Sequence, residues 1–148
     1  MKIALASDHG GFEMKEDIKK FLLANQYEVT DLGTDNCNES VDYPNYGKMC
    51  AEEVVSGRAD KGIVFCGTGI GISIAANKVK GARCALCTSV HMAEMARCHN
   101  DANLLALGGR TTELELAINI VKTWLNTQFE GGRHQRRVDL LDSMGDAN

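Results

Sequence analysis

Five short apolar segments alternate with segments of helical pattern along the chain, and this alternation is the strongest constraint on its fold. The apolar segments are 2–7, 27–32, 62–66, 83–87 and 104–107. Each is followed by a helical segment, and a helix between two strands gives a right-handed crossover that makes the strands parallel. The sequence therefore predicts an α/β fold, a three-layer sandwich whose five-stranded parallel sheet is flanked by helices.

The helical pattern, with apolar residues three or four positions apart, occurs in six segments. They span about 14–25, 44–56, 69–78, 90–98, 112–125 and 134–144. Thr112 and Glu115 have the spacing of a capping box, which predicts the start of the fifth helix. The last helix carries Leu140, Leu141 and Met144, although five helices already cover the sheet. We therefore expect this C-terminal helix to pack on a partner subunit.

Composition argues for one globular domain and against several other classes of protein. A length of 148 residues allows a single domain, 1–148, with a sizeable core. The net charge of −4 argues against nucleic acid as a partner. No apolar segment approaches the roughly 18 residues of a membrane helix, so no membrane association is expected. The apolar stretch after Lys2 is too short for a signal peptide, which favours a cytoplasmic protein.

Six cysteines are present, and we expect all of them to be reduced. A chain of this length does not need disulfide bonds for its stability. Cys84 and Cys87 have the spacing of a redox or metal motif, but residues three apart on a strand point to opposite faces. No second pair completes a zinc site, so no metal is expected. Outside Cys66, the cysteines are interpreted as core residues.

Segment 66–71 (CGTGIG) follows a predicted strand and precedes a predicted helix. Its three glycines let backbone N–H groups turn inward, where they bind phosphate or stabilise an oxyanion. The alternative is a tight turn that only glycine allows. The spacing does not match a dinucleotide-binding loop, and the lysine of a P-loop is absent. Cys66 lies where the positive end of a helix stabilises a thiolate, which favours a reactive cysteine.

Other polar residues stand at the ends of predicted strands, where open α/β sheets bind ligands. Asp8 and His9 follow the first strand. His99 precedes the fifth strand and reaches the site either from an adjacent loop or from another subunit. Histidine exchanges protons near neutral pH, although a hydrogen-bonded surface role is the alternative. Arg133 and Arg137 share one helical face and suit phosphate oxygens, the alternative being a solvated charged face.

With these motifs the sequence resembles the ribose-5-phosphate isomerase B family, which includes galactose-6-phosphate isomerase subunits. The resemblance covers nearly the whole chain and rests on segments 7–11 (SDHGG), 42–44 (DYP), 66–78 (CGTGIGISIAANK), 99–101 (HND) and 130–137 (EGGRHQRR). It implies a Rossmann-like subunit, a homodimer that often pairs into a homotetramer, active sites shared between subunits, and neither a metal nor another cofactor.

The resemblance also implies roles for individual residues. Cys66 is expected to be the catalytic base and His99 the acid that opens the sugar ring, with Thr68 assisting catalysis. Another branch of the family uses a glutamate at the position of Ile72, and isoleucine cannot replace it, which supports Cys66. The implied substrate-binding residues are Asp8, His9, Gly67, Thr68, Gly69, Ile70, Gly71, Asn100, Arg110, Arg133 and Arg137.

The expected reaction is the interconversion of D-ribose 5-phosphate and D-ribulose 5-phosphate through an enediolate, a step of the pentose phosphate pathway. One alternative is the isomerisation of a six-carbon sugar phosphate, such as allose 6-phosphate or galactose 6-phosphate. A second alternative is a non-catalytic nucleotide-binding module that uses the glycine loop only to hold phosphate. A third is a thiol redox protein that uses Cys84 and Cys87, which the strand geometry disfavours.

Overall fold

A five-stranded parallel sheet forms the middle layer of the protein, as the sequence predicts. Its strands are β1 (Lys2–Ser7), β2 (Glu28–Asp31), β3 (Lys61–Cys66), β4 (Cys84–Leu86) and β5 (Leu104–Gly108). They hydrogen-bond in the order β2-β1-β3-β5-β4, and each neighbouring pair is parallel. The computed structural model describes residues 1–145, so the last three residues of the predicted domain lie outside the described part.

Helices cover both faces of the sheet and complete the three-layer sandwich. They are α1 (Phe12–Ala24), α2 (Tyr43–Val55), α3 (Ile70–Asn77), α4 (Val90–Cys98), α5 (Leu114–Asn126) and α6 (Arg133–Ser143). Helices α1, α4 and α5 pack on one face, whereas α2 and α3 pack on the other. A short 3₁₀ turn, His9–Gly11, connects β1 to α1. Within residues 1–145, no helix is both long and apolar enough to span a membrane.

The core consists of two apolar clusters, one on each face of the sheet. Successive side chains of β1 alternate between them, so that Ile3 and Leu5 contact the α1 side and Ala4 contacts the α2 side. The smaller residues of the second face let α2 approach the strands closely. A Cβ at Gly62 would lie only 2.8 Å from the Sγ atom of Cys50 on α2. Glycine at this position of β3 therefore sets the distance between α2 and the sheet.

The predicted capping box at the start of α5 is wrong. The N-cap residue of α5 is Glu113, and its side chain makes no capping hydrogen bond. Thr112 instead belongs to the turn that follows β5, because its backbone N–H donates to the carbonyl oxygen of Gly108 at 3.0 Å. This turn displaces the helix start by one residue, so Thr112 and Glu115 lose the register that a capping box requires.

Helix α6 uses only part of its apolar surface within the chain. Val138 is buried, whereas the side chains of Leu140 and Leu141 are about half exposed, at 50% and 47%. An ion pair attaches the end of the helix to the start of β4, with Arg83 Nη1 lying 2.7 Å from Asp142 Oδ1. The exposed leucines agree with the expectation that α6 packs on another subunit, which stays a prediction.

Candidate active site

Three loops meet at the carboxyl ends of β1, β3 and β5. The direction in which the chain builds the sheet reverses between β1 and β3. In open α/β sheets, this switch point is where ligands bind. The backbone N–H of Gly109 donates to the carbonyl oxygen of Cys66 at 2.8 Å, and that of Arg110 donates to Gly67 at 2.9 Å. A Cβ at Gly109 would lie 2.8 Å from the carbonyl oxygen of Gly10. Glycine is therefore needed here for the loops to come together.

Cys66 ends β3 at the centre of these loops, and only 5% of its surface is exposed. Its sulfur accepts a hydrogen bond from the backbone N–H of Gly69, at 3.1 Å. Gly69 has a φ of 80° and is the N-cap residue of α3, so the thiol lies at the positive end of that helix. The hydroxyl of Thr68 accepts a hydrogen bond from the N–H of Ile70 at 3.2 Å. Backbone amides and a helix end thus surround a sulfur atom that could act as a base.

The guanidinium group of Arg110 lies over the glycines of two loops. A Cβ at Gly67 would be 3.2 Å from its Nη1 atom, and a Cβ at Gly10 would be 3.3 Å from its Cζ atom. The side chain of Arg110 therefore brings a positive charge to the entrance of the Cys66 loop. Guanidinium groups bind the oxygens of phosphate through paired N–H donors, so this position suits an anionic ligand.

Asp8 and His9 reach the same region from the end of β1. Asp8 is buried and caps the following turn, because its Oδ1 atom accepts a hydrogen bond from the N–H of Gly11 at 3.0 Å. His9 Nδ1 accepts a hydrogen bond from the N–H of Val41 at 3.2 Å. In the neutral ring the proton is therefore on Nε2, which leaves that atom free to donate to a ligand. The structure thus brings together Asp8, His9, segment 66–71 and Arg110.

Tyr43 also borders this site, although the sequence analysis assigned it no role. Its ring lies against Gly71, since a Cβ at that glycine would be 2.6 Å from the Cε1 atom of Tyr43. The side chain is at the first position of α2 and is 41% exposed. The only signal in the sequence is the DYP motif at 42–44, which does not reveal that the tyrosine contacts the first turn of α3, 28 positions further on.

The remaining predicted residues form a second group near the start of α6. The imidazole rings of His99 and His134 stack with centroids 4.2 Å apart and planes 12° from parallel. The Oε1 atom of Glu130 lies 3.9 Å from His99 Nε2 and 3.4 Å from His134 Nε2. Arg133 and Arg137 are exposed on the same helix, and Asn100 follows His99 directly. His134 and Glu130 have no predicted role, although both are in the motif at 130–137.

A single chain does not bring the two groups together. Cys66 pairs with Gly108 at one end of the β3–β5 ladder, and Gly62 pairs with Leu104 at the other end. These ends are separated by four residues of strand, or roughly 13 Å. His99 precedes Leu104 and lies beyond the amino ends of the strands, away from Cys66. An adjacent loop therefore does not carry His99 to Cys66 within one chain.

Among the described residues, His99, Glu130 and His134 form a group whose ligand atoms lie within 4.8 Å of one another. Two imidazoles and a carboxylate are a ligand set that zinc accepts. A metal ion, however, binds in the plane of each imidazole ring, along the nitrogen lone pair. The stacked rings are nearly parallel, so their lone pairs do not converge on one point. The observed arrangement fits stacking and charge contacts better than it fits a metal centre.

The other cysteines lack the surroundings of Cys66. All six cysteines are free. Burial raises the pKa of the Cys87 thiol to about 11 and also raises the pKa values of Cys50 and Cys84. Cys84 packs in the core cluster on the α2 side of the sheet, and Cys87 packs on the opposite side. The predicted separation of these two thiols is therefore confirmed, which argues against a redox pair.

The fold and the switch-point loops define a class of α/β protein in which a thiol and a glycine-rich loop share one ligand site. The chain belongs to the Ribose/Galactose Isomerase family, whose model matches residues 3–141. This membership confirms the resemblance noted in the sequence and the assignment of the chain to an isomerase family.

Individual relatives are similar along nearly their whole length. Ribose-5-phosphate isomerase B of Escherichia coli is 48% identical over 97% of this chain and 95% of its own. The structure of ribose-5-phosphate isomerase B from Clostridium thermocellum matches with a TM-score of 0.95 and 57% identity, covering 96% of this chain and 95% of that one. The structure of ribose-5-phosphate isomerase B from Mycoplasma genitalium with bound ribulose-5-phosphate matches with a TM-score of 0.91 and 42% identity. The match covers 95% of this chain and 93% of that one.

Proposed function

We propose that the protein interconverts D-ribose 5-phosphate and D-ribulose 5-phosphate. The observation that carries this proposal is the Cys66 sulfur, which accepts a backbone hydrogen bond at the start of α3 inside a glycine-rich loop. A thiolate in this position has a stabilising partner, and the neighbouring amides can bind an oxyanion. The names of the relatives support the five-carbon substrate. The whole chain, 1–148, would act as one sugar-phosphate isomerase domain.

The proposed chemistry moves one proton between two neighbouring carbons. His99 protonates the ring oxygen as its bond to C1 breaks, and the C1 hydroxyl gives its proton to solvent. Cys66 then takes the proton from C2, which leaves an enediolate with negative charge on O1. A proton passes from O2 to O1, and Cys66 returns its proton to C1 to give the ketose. General acid–base steps of this kind contribute about 10²–10⁴-fold each.

The remaining residues would bind the open-chain sugar and its phosphate. The amides of 67–71 and the Thr68 hydroxyl would hold the enediolate oxygens, with Asn100 assisting, because preorganised donors stabilise the developing charge. Asp8 would accept hydrogen bonds from sugar hydroxyls. The phosphate would be held by the residues His9, Arg110, Arg133 and Arg137. The Nε2 donor of His9 and the position of Arg110 over the loop glycines support this assignment.

We further propose a homodimer, or a homotetramer built from dimers, in which each active site combines two subunits. Cys66 and His99 are at opposite ends of the sheet in one chain, so a second copy must supply His99 to each site. The same copy would supply Asn100, Arg133 and Arg137. The half-exposed leucines of α6 would be covered by the partner. Six free cysteines fit a reducing compartment, which supports a cytoplasmic location.

The test is an isomerase assay with ribose 5-phosphate in excess EDTA, for the wild type and for Cys66→Ala. Wild-type turnover that persists in EDTA, together with a loss of at least about 10²-fold in Cys66→Ala, is the expected result. Cys87→Ala is the matched control, because it removes a buried thiol from the core, and it should keep its activity within about twofold. Near-normal turnover by Cys66→Ala would show that the base is a different residue.

The family description names galactose as well as ribose, which favours a six-carbon sugar phosphate as the second candidate substrate. Allose 6-phosphate and galactose 6-phosphate should therefore be assayed beside ribose 5-phosphate under the same conditions. The proposal predicts the highest kcat/KM for ribose 5-phosphate. A higher value for either six-carbon substrate would replace the proposed substrate while retaining the proposed chemistry.

A further inference from the structure

His99 is partly exposed, yet two side chains, those of His134 and Glu130, contact its imidazole ring. The His99 side chain is 40% exposed at the end of α4, where it could adopt several orientations. The buried ring of His134 stacks on one of its faces. The carboxylate of Glu130 lies within ion-pair distance of the Nε2 atoms of both rings. Two side chains from the segment that begins α6 thus restrict one exposed imidazole on another helix.

We propose that Glu130 is a positioning residue for His99: with the stacked His134 ring, its carboxylate holds the His99 imidazole in the orientation from which it protonates the sugar ring oxygen. This inference rests on the proposed function and deepens it. Glu130 is 55% exposed, so burial in the core does not explain its position. Its role is to act through His99, since it lies against both imidazoles rather than at the Cys66 loop.

Backbone hydrogen bonds hold the segment that contains Glu130, and its carboxylate also interacts with the Cys98 thiol. The N–H of Glu130 donates to the carbonyl oxygen of Cys98 at 3.1 Å, which attaches this segment to the last residue of α4. The N–H of His134 donates to the carbonyl oxygen of Gly131 at 3.0 Å, which begins the first turn of α6. Because the main chain sets both positions, a change in the Glu130 carboxylate alters the imidazole contacts without displacing the loop.

The charges around the two imidazole rings suggest different roles for His134 and His99. Burial, followed by the nearby His99 and Arg133, lowers the pKa of His134, and Glu130 partly opposes this effect. Arg137 on α6 acts in the same direction as Arg133. These effects favour the neutral form of His134, while the Glu130 carboxylate supplies the negative charge beside His99. A carboxylate next to an imidazole nitrogen both orients the ring and complements the charge it carries as an acid.

The experiment starts from ribulose 5-phosphate in D₂O. It separates opening and closure of the sugar ring from the transfer of the carbon-bound proton by Cys66. This ketose is open-chain, because its phosphate occupies the oxygen that would close a ring. Exchange of its C1 protons needs the Cys66 base but not the ring acid, whereas conversion to cyclic ribose 5-phosphate needs both. NMR follows the two rates in one sample. In Glu130→Gln we expect conversion to fall about tenfold while C1 exchange stays within about twofold of the wild type.

Conservative and control variants complete the test. Glu130→Asp keeps the charge on a shorter side chain and should recover part of the lost conversion. Glu113→Gln removes an exposed glutamate at the start of α5 and should change neither rate. If Glu130→Gln lowers exchange and conversion equally, Glu130 has a general structural role and the proposal is wrong. Wild-type rates for both steps in Glu130→Gln would also overturn it.

A measurement without substrate separates this inference from the proposed function. Stacked imidazoles shift each other's Cε1–H signals upfield, and His99→Asn identifies the His99 signal by its absence. The upfield shifts should diminish in Glu130→Gln and persist in Glu113→Gln. Unchanged shifts in Glu130→Gln would contradict positioning by Glu130. If the wild type neither exchanges nor converts ribulose 5-phosphate, the proposed function fails, and this measurement still decides whether Glu130 positions His99.

Discussion

At the scale of single residues, close packing limits what the site can tolerate. Gly71 lies under the ring of Tyr43, and a Cβ at that glycine would be 2.6 Å from Cε1 and 2.7 Å from Cζ. Carbon atoms do not approach this closely without a displacement of the ring or of the loop. The loop carries the amides that we assign to the enediolate, so its displacement would weaken transition-state binding more than substrate binding.

We therefore predict that Gly71→Ala lowers kcat/KM by about tenfold or more. Tyr43→Ala removes the colliding ring, so Gly71→Ala should cost less in a Tyr43→Ala background than in the wild type. Steady-state kinetics of the two single variants and the double variant measure this coupling. The Tyr43→Phe background is the matched control, because phenylalanine keeps the Cε1 atom and the collision. Additive effects in the Tyr43→Ala background would contradict the packing argument.

The sequence locates much of the candidate site at this scale because several of its residues follow strands directly. Cys66 and Asp8 could be located from the strand pattern and the rule that ligands bind at the carboxyl ends. The places of Tyr43 and His134 could not be located in this way, because their contacts join residues far apart in sequence. Glycine-rich spacing indicates a loop, but it does not say which ring will lie against that loop.

At the scale of secondary-structure elements, an ion cluster connects α1 to the end of β2. Lys15 is fully buried on α1, and its Nζ atom lies 2.8 Å from Asp31 Oδ1. Lys19, one turn further along α1, contacts Asp31 Oδ2 at 2.8 Å. Glu16 pairs with both lysines, at 2.9 and 3.1 Å. Because one partner is buried, breaking this cluster should be costly, unlike the loss of an exposed pair.

The cluster predicts how stability depends on pH. Burial raises the pKa of Asp31, but hydrogen bonds from Lys15 and Lys19 outweigh it and lower the pKa from 3.8 to about 2. A carboxyl group whose pKa is lower in the folded state stabilises the fold at pH values above its pKa in the unfolded chain. That stabilisation is lost as the pH falls from about 4 to 2. Because Asp31 is partly exposed, solvent screening reduces this contribution, and Asp31→Asn should lower the free energy of unfolding by about 1 kcal/mol at pH 5. The difference should shrink by pH 2.

Urea unfolding at several pH values measures this difference, with Asp17→Asn on α1 as the matched control. A constant difference between Asp31→Asn and the wild type from pH 5 to pH 2 would contradict the ion-pair explanation.

Element boundaries illustrate what the sequence pattern can predict. The observed β2 is Glu28–Asp31 where the pattern predicts 27–32, and β4 is Cys84–Leu86 where it predicts 83–87. Apolar patterns locate a strand well, but its ends depend on hydrogen bonds to neighbouring strands. The capping-box prediction is wrong for a similar reason, since the backbone of Thr112 bonds to Gly108 in the turn after β5.

At the scale of the whole molecule, the strand order decides which residues can meet. With β5 between β3 and β4, segment 99–103 lies at the amino end of the sheet and Cys66 lies at the carboxyl end. The sequence predicts five parallel strands, but strand order follows from packing between helices and sheet, which local patterns do not encode. An active site that needs both Cys66 and His99 therefore requires two copies of the chain.

Mixed dimers test this requirement directly. Cys66→Ala and His99→Asn homodimers should each lose most activity, because every site in them lacks one catalytic group. When equal amounts of the two variants exchange subunits, half of the resulting dimers are mixed. Each mixed dimer contains one site with both catalytic groups intact and one site with neither. Activity should therefore recover to about a quarter of the wild-type value, as two-fold symmetry requires for shared sites. Mass spectrometry confirms exchange, and each variant exchanged with itself is the control. Verified mixed dimers without recovered activity would mean that each site lies within one chain.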